Sequence, residues 1–337
     1  MNKERELWQF VGERLGRKEF VMLLIVAESS GSSPGRQGYK MAVGADGELC
    51  GSIGGGVMEV SLVEQSRAIL SEPRASAGGL VEPVRDQIHR KGVPNSSGMI
   101  CSGKQTVIFK LLDPQNSETV DKVIDALKCK RPDAVFISPT EFSTKPREAA
   151  TPAKDFQFEK ITKNDFVYEE KLGFKNDLYI VGGGHCALAL SELMSKMDFH
   201  ISIFDDRPDL NTIEKNNFAH EIKVIESYEH ISDSIPSGPN IYVVVMTLGY
   251  KSDETVIRKL LDKDFKYFGV LGSKAKIATL MKELRAEGFD ESKLARLHTP
   301  IGLPINSHTP EEIAISIAAE IIAVKNAPRI MSVPPGS

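Results

Sequence analysis

The stretch Gly182-Gly183-Gly184-His185-Cys186-Ala187 follows the apolar run LYIV and fits the spacing GxGxxG, with alanine in the last place. At the end of a strand such a turn serves an anion. Gly182 permits a tight turn, Gly184 lets the backbone approach a pyrophosphate, and Ala187 allows close packing of a helix whose N-terminus offers unpaired N–H groups. Asp205 stands 23 residues beyond Gly182. Either it or its neighbour Asp206 is placed to accept hydrogen bonds from ribose hydroxyls, which favours a diol over a 2′-phosphate. The alternative is a tight turn without a ligand. His185 reads equally as a phosphate contact and as an exposed histidine at a helix start.

Two further groups lie in the first half. Gly54, Gly55 and Gly56, in GSIGGG, precede a helix, so their N–H groups can form a second anion nest, or the glycines can serve tight strand-to-helix packing. The string lacks the Lys-Ser/Thr of a P-loop, and Glu59 in the first turn suits the helix dipole. Cys101 lies in GMICSGKQ, with Lys104 near enough in sequence to lower a thiol pKa. It reads as a soft metal ligand or as a buried inert thiol. Cys50 reads as core and Cys129 as incidental. The cysteines form no CxxC pair, and neither a Ser-His-Asp order nor an HExxH string appears.

These residues need elements to position them. In the first half, a helix from about Lys3 to Leu15 precedes the buried strand FVMLLIVAE; YKMAVG and the turn at Asp46-Gly47 suggest a hairpin. A helix starts at the triple glycine, and TVIFKLLD, SETVDKVIDALK and AVFIS read as strand, helix and strand. The polar stretch after Pro139 reads as a linker. The second half alternates strand and helix from DLYIV to KAKIATLMKELRAEG, which means a parallel sheet covered on both faces. A final helix, TPEEIAISIAAEIIAVK, begins at a threonine N-cap followed by proline. It reads as a core helix or as part of a homodimer seam. The fold class is thus α/β, divided into an N-terminal α/β domain over 1–140, a linker over 141–175 and a Rossmann-like domain over 176–337.

A chain of 337 residues with 41% hydrophobic content can bury the cores of two such domains. Its formal net charge of -4 argues against a general affinity for nucleic acid or anionic lipid. No apolar run reaches the roughly 20 residues that span a bilayer, and the charged start MNKERELWQF lacks the core of a secretory signal. A cytoplasmic protein with reduced thiols is expected.

The strings GSSPGRQGYKM (31–41), GSIGGGVME (51–59), CSG (101–103), IVGGGH (180–185), FGVLGSKAK (268–276) and RLHTPIGLPINSHTPEEIAISI (296–317) together resemble the xanthine dehydrogenase accessory family, XdhC/CoxI. The resemblance implies an XdhC/CoxI-type N-terminal domain, a C-terminal Rossmann domain and a chaperone more than a catalyst. Such a protein binds molybdenum cofactor (molybdopterin), protects it while a cysteine desulfurase installs the terminal sulfur, and inserts it into a molybdenum hydroxylase of the xanthine dehydrogenase type. It further implies that Cys101 contacts the metal as thiolate and that Gly54, Gly55, Gly56 and Glu59 line the cofactor site. Gly182, Gly183, Gly184 and Asp205 would then hold a phosphate or nucleotide end, from NAD or a pterin dinucleotide. Ser102 stands where the family has a glycine, Val57 where many members carry a cysteine, and Leu248 and Tyr250 where relatives often show histidines. The competing expectation is an NAD-dependent oxidoreductase built on the Rossmann turn, for which no proton donor stands out.

Overall fold

A computed structural model of the chain describes residues 3–71, 82–89, 103–127, 133–146 and 155–327. The chain divides into two units, Met1–Gly173 and Phe174–Ser337. The first contains α1 (Lys3–Gly16), β1 (Val21–Gly31), β2 (Lys40–Gly44), β3 (Leu49–Gly51), α2 (Gly56–Ser71), β4 (Val84–His89), β5 (Gly103–Leu112), α3 (Ser117–Ala126), β6 (Asp133–Ile137), β7 (Phe142–Pro146), β8 (Phe156–Lys160) and β9 (Phe166–Lys171). Its strands form two antiparallel sheets, ordered β3-β2-β1-β5-β4 and β7-β6-β9-β8. The strand-helix-strand run from β5 to β6 therefore joins two sheets and is not a parallel crossover.

The strand β1 opens with seven buried residues because it has a core on each side. Val21, Leu23, Ile25 and Ala27 face α1, α3 and the second sheet, while Met22, Leu24 and Val26 face α2. Trp8 of α1 stacks on Phe142 of β7 at 5.9 Å.

The span 141–175 is not the expected linker, since it supplies β7, β8 and the inner strand β9. Its alternation is hidden by a buried charge: Phe166 and Tyr168 point inward, and so does Glu170. That carboxylate survives burial because Lys40 Nζ donates to it at 2.8 Å and the Tyr168 hydroxyl at 2.8 Å. Burial opposes the charge on Lys40, but Glu170 and Glu4 overcome it and hold its pKa above the ordinary range.

The second unit contains β10 (Asn176–Val181), α4 (His185–Met194), β11 (Phe199–Asp205), α5 (Asn211–Glu214), β12 (Glu221–Val224), α6 (Ile231–Ser234), β13 (Gly238–Val245), α7 (Tyr250–Leu260), β14 (Phe265–Val270), α8 (Lys274–Ala286), α9 (Glu291–Leu294), β15 (Leu297–His298) and α10 (Pro310–Asn326). Its six strands run parallel in the order β12-β11-β10-β13-β14-β15. Leu178 and Ile180 of β10 enter the core that holds α4 and α10, and Tyr179 and Val181 enter the opposite core with α7 and α8. Thr309 caps α10 in a capping box with Glu312, and Pro310 occupies the first turn. Strand order reverses between β10 and β13, and ligands of open α/β sheets bind outside the carboxyl ends of strands at such a point.

Candidate functional site

At that switch point the chain leaves β10 through Gly182, whose φ is +110°. A Cβ there would stand 2.3 Å from the carbonyl oxygen of Met246, so only glycine lets the ends of β10 and β13 meet. The Gly183 N–H donates to Asp205 Oδ2 at 2.6 Å, and its carbonyl accepts the Thr212 hydroxyl at 2.6 Å. Gly184 is the N-cap of α4, receives no side-chain cap, and would have open space around an added Cβ. The helix start therefore keeps unpaired N–H groups beside an unobstructed backbone, as an anion site requires. Ala187 is buried under the helix, whereas His185 is exposed.

Asp205 departs from its expected role. Its carboxylate is fully buried: Oδ2 takes Gly183 N–H and Arg207 Nη2 (2.7 Å), and Oδ1 takes the backbone N–H (2.9 Å) and Nε (2.8 Å) of Arg207. Burial alone would raise its pKa, but the Arg207 fork and the two backbone N–H groups win and hold it below the usual carboxylate range. A carboxylate has about four acceptor positions. All are taken within the chain, so a ribose hydroxyl would have to displace an Arg207 donor to bond to it. Asp206 is exposed and accepts the Tyr228 hydroxyl at 3.4 Å.

A second buried acid at the same sheet edge was not singled out by sequence. Asp253 Oδ1 accepts the Thr247 N–H at 3.0 Å and hydroxyl at 2.5 Å, and Lys276 Nζ pairs with Oδ2. In sequence nothing sets Asp253 apart from any acid in a helix's first turn. Gly272 leaves room for the Lys276 stem, which a Cβ would meet at 3.1 Å. Leu248, in the loop between, is exposed.

The glycine turn of the first unit is built differently. Gly54, Gly55 and Gly56 all have positive φ, and Glu59 reaches back from α2 to close the turn. Its Oε2 accepts the Ser52 hydroxyl at 2.7 Å and the N–H groups of Ile53 and Gly55 at 2.8 and 2.9 Å. The nest thus holds an internal carboxylate, and Glu59 does more than complement the dipole. Packing is equally tight: a Cβ on Gly54 would lie 2.5 Å from Gly35 N, one on Gly35 2.1 Å from Ile53 O, and one on Gly103 2.5 Å from Ser33 N. Gln105, buried on β5, accepts the Ser33 hydroxyl at 2.8 Å and donates to Ile53 O at 2.9 Å. Three sequence-distant strings, around Ser33, Ile53 and Gly103, therefore meet. Gln105 escaped the sequence reading because its partners lie 72 and 52 residues away.

Cys101 and Cys129 lie outside the described residues. Lys104 pairs with Asp86 at 3.5 Å, and Val57 is exposed. Burial pushes up the thiol pKa of Cys50, with help from Glu6 and Glu48, and that of Cys186, with help from Glu311. Neither is an activated thiolate. Among the described residues no group of three or more His, Cys, Asp or Glu side chains could hold a metal ion. Nor is any described helix long and apolar enough to cross a membrane.

Comparison with known proteins matches the chain to two domain models of one family. Residues 178–321 match the XdhC Rossmann domain, and residues 15–82 match the XdhC and CoxI family. The chain belongs to the XdhC and CoxI family. It is 26% identical over 309 residues to the uncharacterized protein YqeB of Escherichia coli (strain K12), covering 91% of this chain and 44% of that protein. It is 30% identical over 165 residues to a probable xanthine dehydrogenase subunit of Bacillus subtilis (strain 168), covering 49% of this chain and 47% of that protein. The chain thus spans less than half the length of these curated relatives. Its fold is shared with the crystal structure of a xanthine dehydrogenase from Bacillus halodurans, with a TM-score of 0.69 and 23% identity over 99% of this chain and 98% of that one.

Proposed function

We propose that this XdhC and CoxI family member carries molybdenum cofactor as cargo, shields it while a cysteine desulfurase supplies the terminal sulfur, and inserts it into a molybdenum hydroxylase of the xanthine dehydrogenase type. The observation that supports this reading is the meeting of three motif strings in the first unit, where Gln105 ties the Ser33 loop to the Ile53 turn and Gly103 abuts Ser33. Cys101 precedes Gly103 by two residues, and its proposed role is a thiolate toward the metal. Because Glu59 already takes the N–H groups of Ile53 and Gly55, the turn Gly54–Gly56 contributes shape to this site and not a free nest. In the second unit the uncapped start of α4 at Gly184 by itself suits a phosphate group.

The cargo brings the dithiolene-bound molybdenum that its client uses for redox chemistry; this chain's residues bind it and exclude water. The name of the Bacillus subtilis relative favours a xanthine dehydrogenase as the client. Pairing of two copies into a homodimer belongs to the same proposal. An NAD-dependent oxidoreductase has less support, because Asp205, one of the two acids expected at the ribose, is occupied within the chain and no proton donor stands out.

Equilibrium binding of molybdenum cofactor, released from a donor enzyme, to wild type, Cys101→Ala and Gln105→Leu tests the reading. Wild type is expected to take up the cofactor and each variant to weaken uptake about tenfold or more. A wild-type chain that takes up none sinks the proposal.

A further inference from the structure

Asp205 and Arg207 together decide what kind of ligand the Rossmann turn accepts. The carboxylate at the end of β11 has no acceptor position left for a sugar hydroxyl, since Gly183 and Arg207 occupy both oxygens and the side chain is fully buried. Arg207 is in the opposite condition. A guanidinium carries five N–H donors, and the fork on Asp205 uses only Nε and one N–H of Nη2. No other acceptor among the described residues is bonded to it, and its side chain is 30% exposed. The remaining Nη donors are available to a ligand. They lie next to the turn, because Nη2 and the Gly183 N–H share the same oxygen of Asp205.

We infer that this turn selects a ligand bringing a phosphomonoester to Arg207 and rejects one bringing a ribose diol there. The inference rests on the reading that Gly182–Ala187 holds a phosphate-bearing end. The physical ground is a mismatch of donors. A diol approaching the end of β11 meets a positive fork and a saturated carboxylate, and its own hydroxyl hydrogens lose the partner they had in water. A phosphomonoester carries two negative charges near neutral pH and accepts from a planar fork in charge-assisted hydrogen bonds. Asp205 acts here as a positioning residue, fixing the fork that meets the ligand. Asp206, the next acid along, is exposed and accepts the Tyr228 hydroxyl at 3.4 Å, so the rejection of a diol rests on Asp205 and Arg207 alone.

Two sources could supply the phosphomonoester, the 2′-phosphate of a dinucleotide or the terminal phosphate of a pterin, and two probe pairs separate them. Calorimetric titration of the full chain with NADP+ against NAD+, and with molybdopterin against its cytidine dinucleotide, compares a monoester with its absence in each case. The monoester member of at least one pair is expected to bind about tenfold or more tightly, and that pair names the source. Arg207→Leu is expected to erase the preference. By freeing one acceptor position on each oxygen of Asp205, it should also raise the affinity for NAD+. Should Arg207→Leu not fold, Arg207→Lys keeps the charge without the planar fork and is expected to reduce the preference. Equal binding within both pairs, or tighter binding of NAD+, with binding lost in Gly184→Asp, overturns the inference while leaving the turn a phosphate site. Absence of binding by every probe, or binding indifferent to Gly184→Asp, overturns both.

Discussion

Each unit contains a strand, a run of three glycines and a helix, yet the two turns end in opposite states. In the first, Glu59 comes from the helix's own opening turn and takes the N–H groups that a ligand would want. In the second, Asp205 comes from the neighbouring strand, takes one N–H from the side, and leaves the start of α4 uncapped beneath open space. A glycine run therefore announces backbone freedom, while the origin of the nearest carboxylate decides whether the resulting nest is filled from within. The filled turn becomes a joint between chain segments, and the open one a seat for an anion.

The strongest challenge to this contrast lies within the second turn itself. Gly182→Ala sets a Cβ against the Met246 carbonyl at a φ of +110°, and is expected to destabilise the chain by about 3 kcal/mol or more in urea unfolding. Gly184→Ala meets nothing and should cost less than about 1 kcal/mol. Equal losses would show that both glycines serve packing. Next in size, Glu59→Ala strips the filled turn of its three internal bonds. It is expected to cost about 1–3 kcal/mol and to speed hydrogen exchange at the Ile53 and Gly55 amides, without change at Gly183. Unchanged exchange at Gly55 would mean the nest is not held by Glu59.

A finer separation of the two units comes from pH. The folded pKa of Asp205 lies below the unfolded value of about 3.9. Its contribution is therefore complete above about pH 4 and is lost as pH falls through the folded value. Lys110 of β5 has the same sign at the other end of the pH scale: burial pushes its amine down to about 8, and it donates to the carbonyls of Ser138 and Pro139. Between about pH 8 and its ordinary value near 10.5 the unfolded chain binds the extra proton, so stability rises with pH across that window. Asp205→Asn should flatten the acid limb of a stability profile and Lys110→Met the alkaline limb. A profile in which Asp205→Asn leaves the acid limb unaltered would show that this carboxylate is not held by Arg207 in solution.

The Rossmann unit was the more legible because its signals are local: an apolar strand, glycines at fixed spacing, a helix, and an acid at a set distance. The first unit hid its second sheet because Glu170 occupies an inward position that the pattern reserves for apolar residues. The lysine that makes this tolerable lies 130 residues away. Gln105 was missed for the same reason, as nothing beside it in sequence signals a bond to Ser33 or Ile53. Arg207 was within sight, two residues past Asp205, but a fork that closes on a carboxylate reads in sequence like an exposed arginine after a strand. The acid was visible; its occupation was not.

The contact of three backbones at Gly35, Gly54 and Gly103 has a consequence for how such chains diverge. Each of these positions excludes a side chain because another segment's backbone fills the volume, so no one of the three loops can drift alone. A bulkier residue at one point demands a simultaneous retreat of the others, which makes a three-way historical constraint out of what looks like three separate motifs. Among descendants of a common ancestor, the loops around Ser33, Ile53 and Gly103 should be inherited or lost as a set.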